Sequence, residues 1–273
     1  MQNRLLALIL MFAAVSVTFA DVSAANAEGY SLVESVDTSS CADFAKLPVL
    51  EIVLAPELLP GESVSTSELM GVRETIMRRL NALGVNSAIV EIEASQDIVI
   101  DLFMTDHLLS EDINRIIDVI KTTGLLEIVD TSGQYLPPGS YIRTSRDPQG
   151  LPGTNERSTE PVYTTILSDS DFQEFFPTTD SLGQLVVGFR LTNDAANTFF
   201  DFTSSHIGQP FSVTIDKQVL SSPRIDAAIS SEGIISGITS SEIDDLLVIL
   251  SAGPLIAPLT VVMSGTSSSL CTS

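Results

Sequence analysis

Residues 65–84, STSELMGVRETIMRRLNALG, carry the pattern on which the fold turns. Ser65 followed three positions later by Glu68 is a capping box, which satisfies orphan backbone donors at a helix start. Leu69, Val72, Ile76, Leu80 and Leu83 recur at spacings of three and four, so they share one stripe of a helix and predict a buried face. Gly84 then supplies a residue that accepts the left-handed conformation of a helix end. Upstream, Val49–Leu54 is an apolar strand; downstream, Ala88–Glu93 and Ile98–Phe103 alternate around Ala94-Ser95-Gln96-Asp97 as a hairpin. A second helix is expected over Ser110–Thr122, with Ile113, Ile116, Ile117 and Ile120 inward, closed by Gly124 and followed by the strand Leu125–Val129. The order β, α, β, β, α, β is that of a split-βαβ, ferredoxin-like unit.

The same phrase returns near the C-terminus. Leu185–Leu191 reads as a strand, and Thr192-Asn193-Asp194 cap a helix bearing Ala196, Phe199, Phe200 and Thr203. Phe211–Asp216 and Val219–Ser222 are strands around Lys217-Gln218. Thr239-Ser240-Ser241-Glu242 is another capping box, ahead of Ile243, Leu246, Leu247 and Leu250, with a Gly/Ile insert over Gly233–Ile238 before it. Leu255–Met263 completes the phrase as a strand. The expected class is therefore α+β, with two ferredoxin-like units over 47–131 and 185–263. Between them, 132–184 holds a Pro/Gly-rich stretch with Pro137, Pro138, Gly139, Pro148, Gly150, Pro152 and Gly153, either a linker or a surface excursion. Asp169–Phe176, DSDFQEFF, is expected to be a short acidic-aromatic helix.

Composition restricts the function. The chain has 273 residues, 44% of them hydrophobic and 18% charged, and a net charge of −22. That much apolar material requires a buried core. Its lysines are Lys46, Lys121 and Lys217, and its longest basic run is Arg78-Arg79, which excludes a counterion-releasing nucleic-acid surface and docking on anionic headgroups. Two Cys and two His leave almost no material for a structural zinc site. No cofactor is expected.

At the N-terminus, Arg4, the uncharged run Leu5–Ala20 and Ala25-Asn26-Ala27 form a signal pattern over residues 1–27, read either as a cleaved signal peptide or as a retained anchor. Both place the body on the exported side, with membrane attachment only through Leu5–Ala20. Residues 28–46 and 264–273 are expected to be flexible ends. Cys41 and Cys271 lie one in each; oxidised, they would close a loop worth roughly 5 kcal/mol of unfolded-state entropy, and the alternative is two separate thiols. Leu246–Met263 is a second uncharged run, but Gly253-Pro254 and Pro258 break it into a helix, a turn and a strand.

Catalytic patterns are missing from the sequence: there is no G-x-S-x-G elbow, H-E-x-x-H helix or P-loop. Asp130-Thr131-Ser132-Gly133 puts Ser where an aspartic-protease turn needs Gly, and reads as a strand end followed by a turn. His107 and His206 lie in a loop and at a helix end, outside any nucleophile context. Asp169, Asp171 and Glu174 lack the spacing and glycine of a calcium loop. Arg73, Arg78 and Arg79 are expected to pair with carboxylates of their own or neighbouring elements.

From Val187 to Val262 the chain resembles the SecD/SecDF protein-export subunits in their first periplasmic domain. The residues that carry this are Leu191-Thr192 leading into Ala195–Phe200, Thr203 and Gly208, Val213-Thr214-Ile215-Asp216-Lys217 with Val219, Ser222-Pro223, Ile225, Gly233, Ile235-Ser236-Gly237, Thr239, and Leu246-Leu247 through Leu250-Ser251-Ala252-Gly253-Pro254-Leu255 to Pro258. A weaker similarity covers Ile76–Val85, Asp97–Ile100 and Thr123–Ile128, while Ser132–Gln184 matches poorly. The resemblance implies a base with ferredoxin-like units and a head that can swing on it, holding emerging preprotein without catalysis. It implies unfolded preprotein and a membrane translocase as partners; beside it, the Pro/Gly-rich stretch offers Pro137, Pro138, Gly139, Gly150 and Gly153 as candidate hinge residues, and the acidic-aromatic segment offers Phe172, Phe175 and Phe176 as candidate polypeptide contacts. The family's proton-relay residues lie in membrane helices beyond the matching strands, so none is expected here and the work expected is passive: capturing extended polypeptide, limiting backsliding or scaffolding a translocon. The alternatives are an envelope or surface binding module with the same fold and another ligand, and an unrecognised hydrolase.

Overall fold

The structure, a computed structural model, describes residues 49–58, 63–103, 110–146 and 161–267. The signal pattern, residues 28–46, Cys41, Cys271, His107, Gly150 and Gly153 lie outside the described residues. In chain order the elements are β1 (Val49–Pro56), α1 (Thr66–Ala82), β2 (Ala88–Ile92), β3 (Ile98–Phe103), α2 (Ser110–Lys121), β4 (Leu126–Asp130), β5 (Arg143–Thr144) and β6 (Val162–Ser168). After a 3₁₀ turn at Asp169–Asp171 come β7 (Phe172–Thr179), β8 (Leu185–Leu191), α3 (Asn193–Ser205), β9 (Ser212–Ile215), β10 (Gln218–Ser221), β11 (Glu232–Ile235), α4 (Ser240–Ala252) and β12 (Leu259–Ser267).

Helix α1 begins and ends as its residues dictate. The Ser65 hydroxyl accepts from the Glu68 N–H at 3.3 Å, and the Glu68 carboxylate accepts from the Ser65 N–H at 2.8 Å. Gly84 takes φ +80°, and the amides of Gly84 and Val85 donate to Asn81 and Leu80, closing a Schellman turn. Leu69, Val72, Ile76 and Leu80 are buried, and the last three pack on the sheet together with Ile116 and Ile120 of α2.

The α+β class holds, but the strands do not divide into two self-contained consecutive units. The first sheet has the order β12-β1-β3-β2, every neighbouring pair antiparallel. That is the order of a split-βαβ sheet with the C-terminal strand in the fourth place. The strand expected there, β4, instead lies between β9 and β6 in a five-stranded sheet, β10-β9-β4-β6-β5. Its Leu126, Ile128 and Val129 are all buried, so both of its faces are covered and both of its edges are paired. A third sheet, β11-β8-β7, takes β8 away from β9 and β10.

Four further expectations are corrected. DSDFQEFF is a 3₁₀ turn running into strand β7, because a bulge at Gln173 returns Phe172 and Phe175 to one face while Phe176 points to the other. The hairpin turn after β9 is Asp216-Lys217, not Lys217-Gln218; both residues have positive φ, +49° and +67°, as a type I′ turn requires. Ser264–Ser267, assigned to the flexible tail, belong to β12. Within the Pro/Gly-rich stretch, Leu136 and Ile142 are buried beside Val129 and Val219, and residues 139–142 bond to the backbone of the β9–β10 hairpin.

Two cores result. One lies between the first sheet and α1 and α2; the other is built by β4, β6, β8, β9, β11, α3 and α4 around Phe199, Phe189 and Val187, with Val119 of α2 reaching into it. The chain passes between these bodies twice, through 122–125 after α2 and through 253–258 after α4.

Candidate functional site

Two cavities flank these crossings. The first, about 370 Å³, is a groove between β7 and the end of α4, walled by Leu126, Phe172, Phe175, Leu250 and Pro254, with Asp169 and Glu174 at its rim. The Phe172 ring stacks on Phe175 at 5.2 Å and meets Phe189 edge-on at 5.4 Å, so the core fixes the orientation of the groove wall. β7 is an edge strand, and among the described residues no strand pairs with its outer side. Pro177 within it is tolerated at such an edge.

Phe176 does not reach this groove. Its ring covers Gly188, where an added Cβ would lie 2.4 Å from the ring, and Arg190 sits over it with the guanidinium carbon 5.7 Å from the ring centroid. Arg190 also binds Glu174 and Glu232, which hold its guanidinium pKa above the ordinary value.

The second cavity, about 450 Å³, opens on the opposite side of the crossings between Tyr141, Arg146, Lys121, Glu57, Ile256 and Pro258. At its floor lies a buried ion pair. Lys217 is 6% exposed and Glu127 1%; the ammonium donates to Glu127 Oε2 at 2.7 Å and to Thr144 Oγ1 at 2.8 Å. Thr144 and Thr165 donate to Glu127 Oε1 at 3.0 and 2.8 Å, so the carboxylate is satisfied on both oxygens. The Pro/Gly-rich stretch therefore contributes a structural residue, Thr144. Pro137–Gly139, expected as hinge residues, are tied to the second body by the Gly139 N–H bond to Val219 and by Ser222 Oγ donating to Leu136.

Beneath the crossings is Arg79, 0% exposed. Its guanidinium donates to the carbonyls of Val119 at 2.9 Å, Ile120 at 3.5 Å, Thr123 at 3.3 Å and Gly253 at 3.0 Å, and also to that of Thr122. Val119 and Ile120 are in the last turn of α2, where carbonyls lack intrahelical partners at the negative pole of the dipole, and the other three lie just beyond the ends of α2 and α4. The expectation of a carboxylate partner for Arg79 is thus corrected: backbone oxygens take that place, while Arg78 pairs with Glu74 at 3.7 Å. Burial pulls the Arg79 pKa down to about 10, against the pull of Asp216. The Asp216 carboxylate in turn accepts from the amides of Gly124 at 3.1 Å and Leu125 at 2.9 Å. Burial pushes its pKa up despite those amides and Arg79. Nothing in the helical stripe of α1 marked Arg79 as more than a surface arginine; the adjacent Arg78-Arg79 pair hid which of the two turns inward.

The remaining polar candidates have structural partners. Asp130 accepts from the Ser132 amide at 2.7 Å in a local turn. His206 stacks on Phe202 at 4.5 Å, with Nδ1 2.8 Å from the Phe202 carbonyl oxygen. Asp169 binds Arg146 at 2.6 Å, and Asp171 accepts from the Ser168 amide at 2.8 Å. Among the described residues no group of three His, Cys, Asp or Glu converges on a metal position, and no helix is long and apolar enough to cross a membrane.

The fold and the groove define the class, a two-body α+β domain with a groove at the joint, and comparison with known proteins gives the family it resembles. Residues 150–257 match the family described as SecDF, P1 head subdomain, and the chain as a whole is similar to the SecD protein-export subunits. It is 25% identical to the protein translocase subunit SecD of Thermobaculum terrenum, over 80% of this chain and 51% of that one. It is 31% identical to SecD of Aquifex aeolicus, over 68% of this chain and 37% of that one. The chain thus spans about half the length, or less, of these relatives. A crystal structure of SecDF in a super-membrane-facing form superposes with a TM-score of 0.61 at 20% identity, covering 97% of this chain and 35% of that one. A structure of SecDF described as a membrane component that enhances protein export gives 0.56 at 22%, covering 78% and 98%. At these identities the structural likeness establishes the fold alone.

Proposed function

We propose that this domain is an extracytoplasmic accessory of protein translocation that binds emerging, unfolded polypeptide without catalysis, alongside a membrane translocase. The observation that carries this reading is the groove on β7: an apolar wall of Phe172 and Phe175 lies beside an unpaired strand edge. An extended chain can add to such an edge through its backbone and set an apolar side chain into the cavity. A folded protein pairs most of its strands within its own sheets, so the site favours extended over folded polypeptide and does so through backbone rather than sequence. Phe176, covered by Arg190, is not part of this contact. The translocase partner is proposed from the relatives, each a protein translocase subunit SecD.

The test is fluorescence anisotropy of a labelled secretory polypeptide, added to the full chain either reduced and unfolded or folded. Saturable binding of the unfolded form alone supports the reading. Equal binding of both forms, or of neither, contradicts it.

A further inference from the structure

The bonds around β8 decide which backbone groups β7 turns outward. At the hairpin end the Asp180 amide donates to the Gln184 carbonyl at 2.9 Å, and at the other end of β8 the Leu191 amide donates to Ser231 at 2.8 Å, towards β11. Along an antiparallel pair, residues bonded to the partner strand alternate with residues whose N–H and C=O point the other way. Phe189, Val187 and Leu185 share the alternation of Leu191 and face β11, so their partners on β7, Phe175, Pro177 and Thr179, face outward. Pro177 agrees with this, because a residue without an amide hydrogen enters a ladder with its nitrogen turned away from the partner. The outward row of β7 therefore offers a donor and an acceptor at Phe175, an acceptor alone at Pro177, and both again at Thr179, where the strand ends. On the other side of Phe175 the ladder is broken by the bulge at Gln173. Phe175 is left as one complete rung between a bulge and a proline.

We infer that Pro177 limits the hold on polypeptide to this rung: an added chain bonds both ways with Phe175, and its ladder stops at the residue facing Pro177. The inference rests on the reading of the β7 groove given above and names the residue that sets the length of the contact. In an antiparallel addition, the residue opposite Phe175 places its side chain on the same face as Phe175, the groove side. The ligand is then a short extended segment with an apolar residue at its centre. Few backbone bonds have to break for release, so the hold is brief, as a chain that moves onward requires. Proline and bulge also blunt the edge against pairing with β7 of another copy, since both are devices that keep open sheet edges from associating. An ordinary strand residue at 177 would join Phe175 to Thr179 in one continuous row of outward groups.

The experiment compares the full chain with its Pro177→Thr variant, which restores the missing N–H and favours a strand. It reads the anisotropy of a labelled secretory polypeptide held reduced and unfolded, together with amide exchange at Thr179. Pro177→Thr should bind roughly tenfold more tightly, and dissociate more slowly, as one or two further backbone bonds form. Bound polypeptide should slow exchange at Thr179 in Pro177→Thr and leave it unchanged in the parent. Thr179→Pro, which removes the next outward donor, should bind as the parent does. Exchange in β9, within the second core, should match the parent in both variants; if Thr179→Pro loses that protection, Pro177→Thr decides alone. Equal affinity and equal Thr179 exchange in the parent and Pro177→Thr, or weaker binding by folded Thr179→Pro, overturns the limit and leaves the groove reading standing. Binding of unfolded polypeptide by neither the parent nor Pro177→Thr overturns the groove reading, and the limit with it.

Discussion

Replacing Arg79 with Met removes the guanidinium and keeps most of the buried aliphatic stem. Arg79 donates to five backbone carbonyls, two of them, Val119 and Ile120, in the last turn of α2. A hydrogen bond to a charged group contributes about 1.5–3 kcal/mol net, and a cation in a partly buried position at a helix C-terminus adds up to about 2 kcal/mol. Against this, the variant no longer bears the cost of burying a charge, the cost that pulls the Arg79 pKa down to about 10. Since five carbonyls lose one donor group and little water can enter a site with 0% exposure, the loss dominates. The expected destabilisation is about 3–5 kcal/mol, the range for removing one member of a buried charged network. Arg79→Lys, which keeps the charge but lacks the planar fork, should lose less, about 1–3 kcal/mol. Urea titration followed by far-UV circular dichroism measures both, read from the midpoint at constant slope. A loss under about 1 kcal/mol in Arg79→Met, within the range of ordinary surface substitutions, would refute the claim that these carbonyls depend on Arg79.

Three further outcomes follow from the same geometry. In a double-mutant cycle on Glu127 and Lys217, each single apolar substitution should cost about 3–5 kcal/mol and the double much less than their sum; additive losses would show that the two charges are not coupled. Gly124→Ala should destabilise by more than the roughly 1–2 kcal/mol of a left-handed Ala, because its Cβ would also meet Ile249 at 2.7 Å; thermal unfolding reads the loss. The Ser65 hydroxyl and amide hold the Glu68 pKa below its ordinary value, and Thr239 does the same for Glu242. An acid with a depressed folded pKa contributes stability above its unfolded pKa, about 4.3 for Glu, and loses it as pH falls through the folded value. Ser65→Ala should therefore cost stability at pH 6 and progressively less below about pH 4, as urea midpoints across that range would show.

The helices could be read almost to the residue because their signals are local. The capping boxes at Ser65 and Thr239, the Thr192 cap and the apolar stripe of α1 depend on neighbours three or four positions away, and all appear where the spacing placed them. Strand existence was equally legible; strand partnership was not. The pairing of β1 with β12 joins residues about two hundred positions apart, and no pattern within VLEIVLAP specifies which strand takes its outer edge. The local repetition of β, α, β, β, α, β suggested two closed units, whereas burial of both faces of β4 draws it into another sheet. DSDFQEFF resembles a helix in sequence because the Gln173 bulge shifts Phe172 and Phe175 onto one face, giving a strand an i, i+3 aromatic spacing.

The groove was legible only as an aromatic segment, and the backbone contacts of Arg79 and Asp216 not at all. Phe172 and Phe175 were visible as apolar residues in an acidic setting, but their separation from Phe176 needed the register of β7 against β8. Arg79, Asp216 and Lys217 carry no sequence mark of burial. Their environments are built by segments distant in sequence, so the partners that make a buried charge tolerable are invisible along the chain.

The central claim is that the β7 groove receives extended polypeptide, and a photo-crosslinker at Gln173, exposed at its edge, tests it most directly. With a secretory polypeptide held unfolded, Gln173 should crosslink strongly, the same label at Met70 on α1 should not, and folding the substrate should abolish the signal. Equal crosslinking from Gln173 and Met70, or undiminished crosslinking to the folded substrate, would contradict the account.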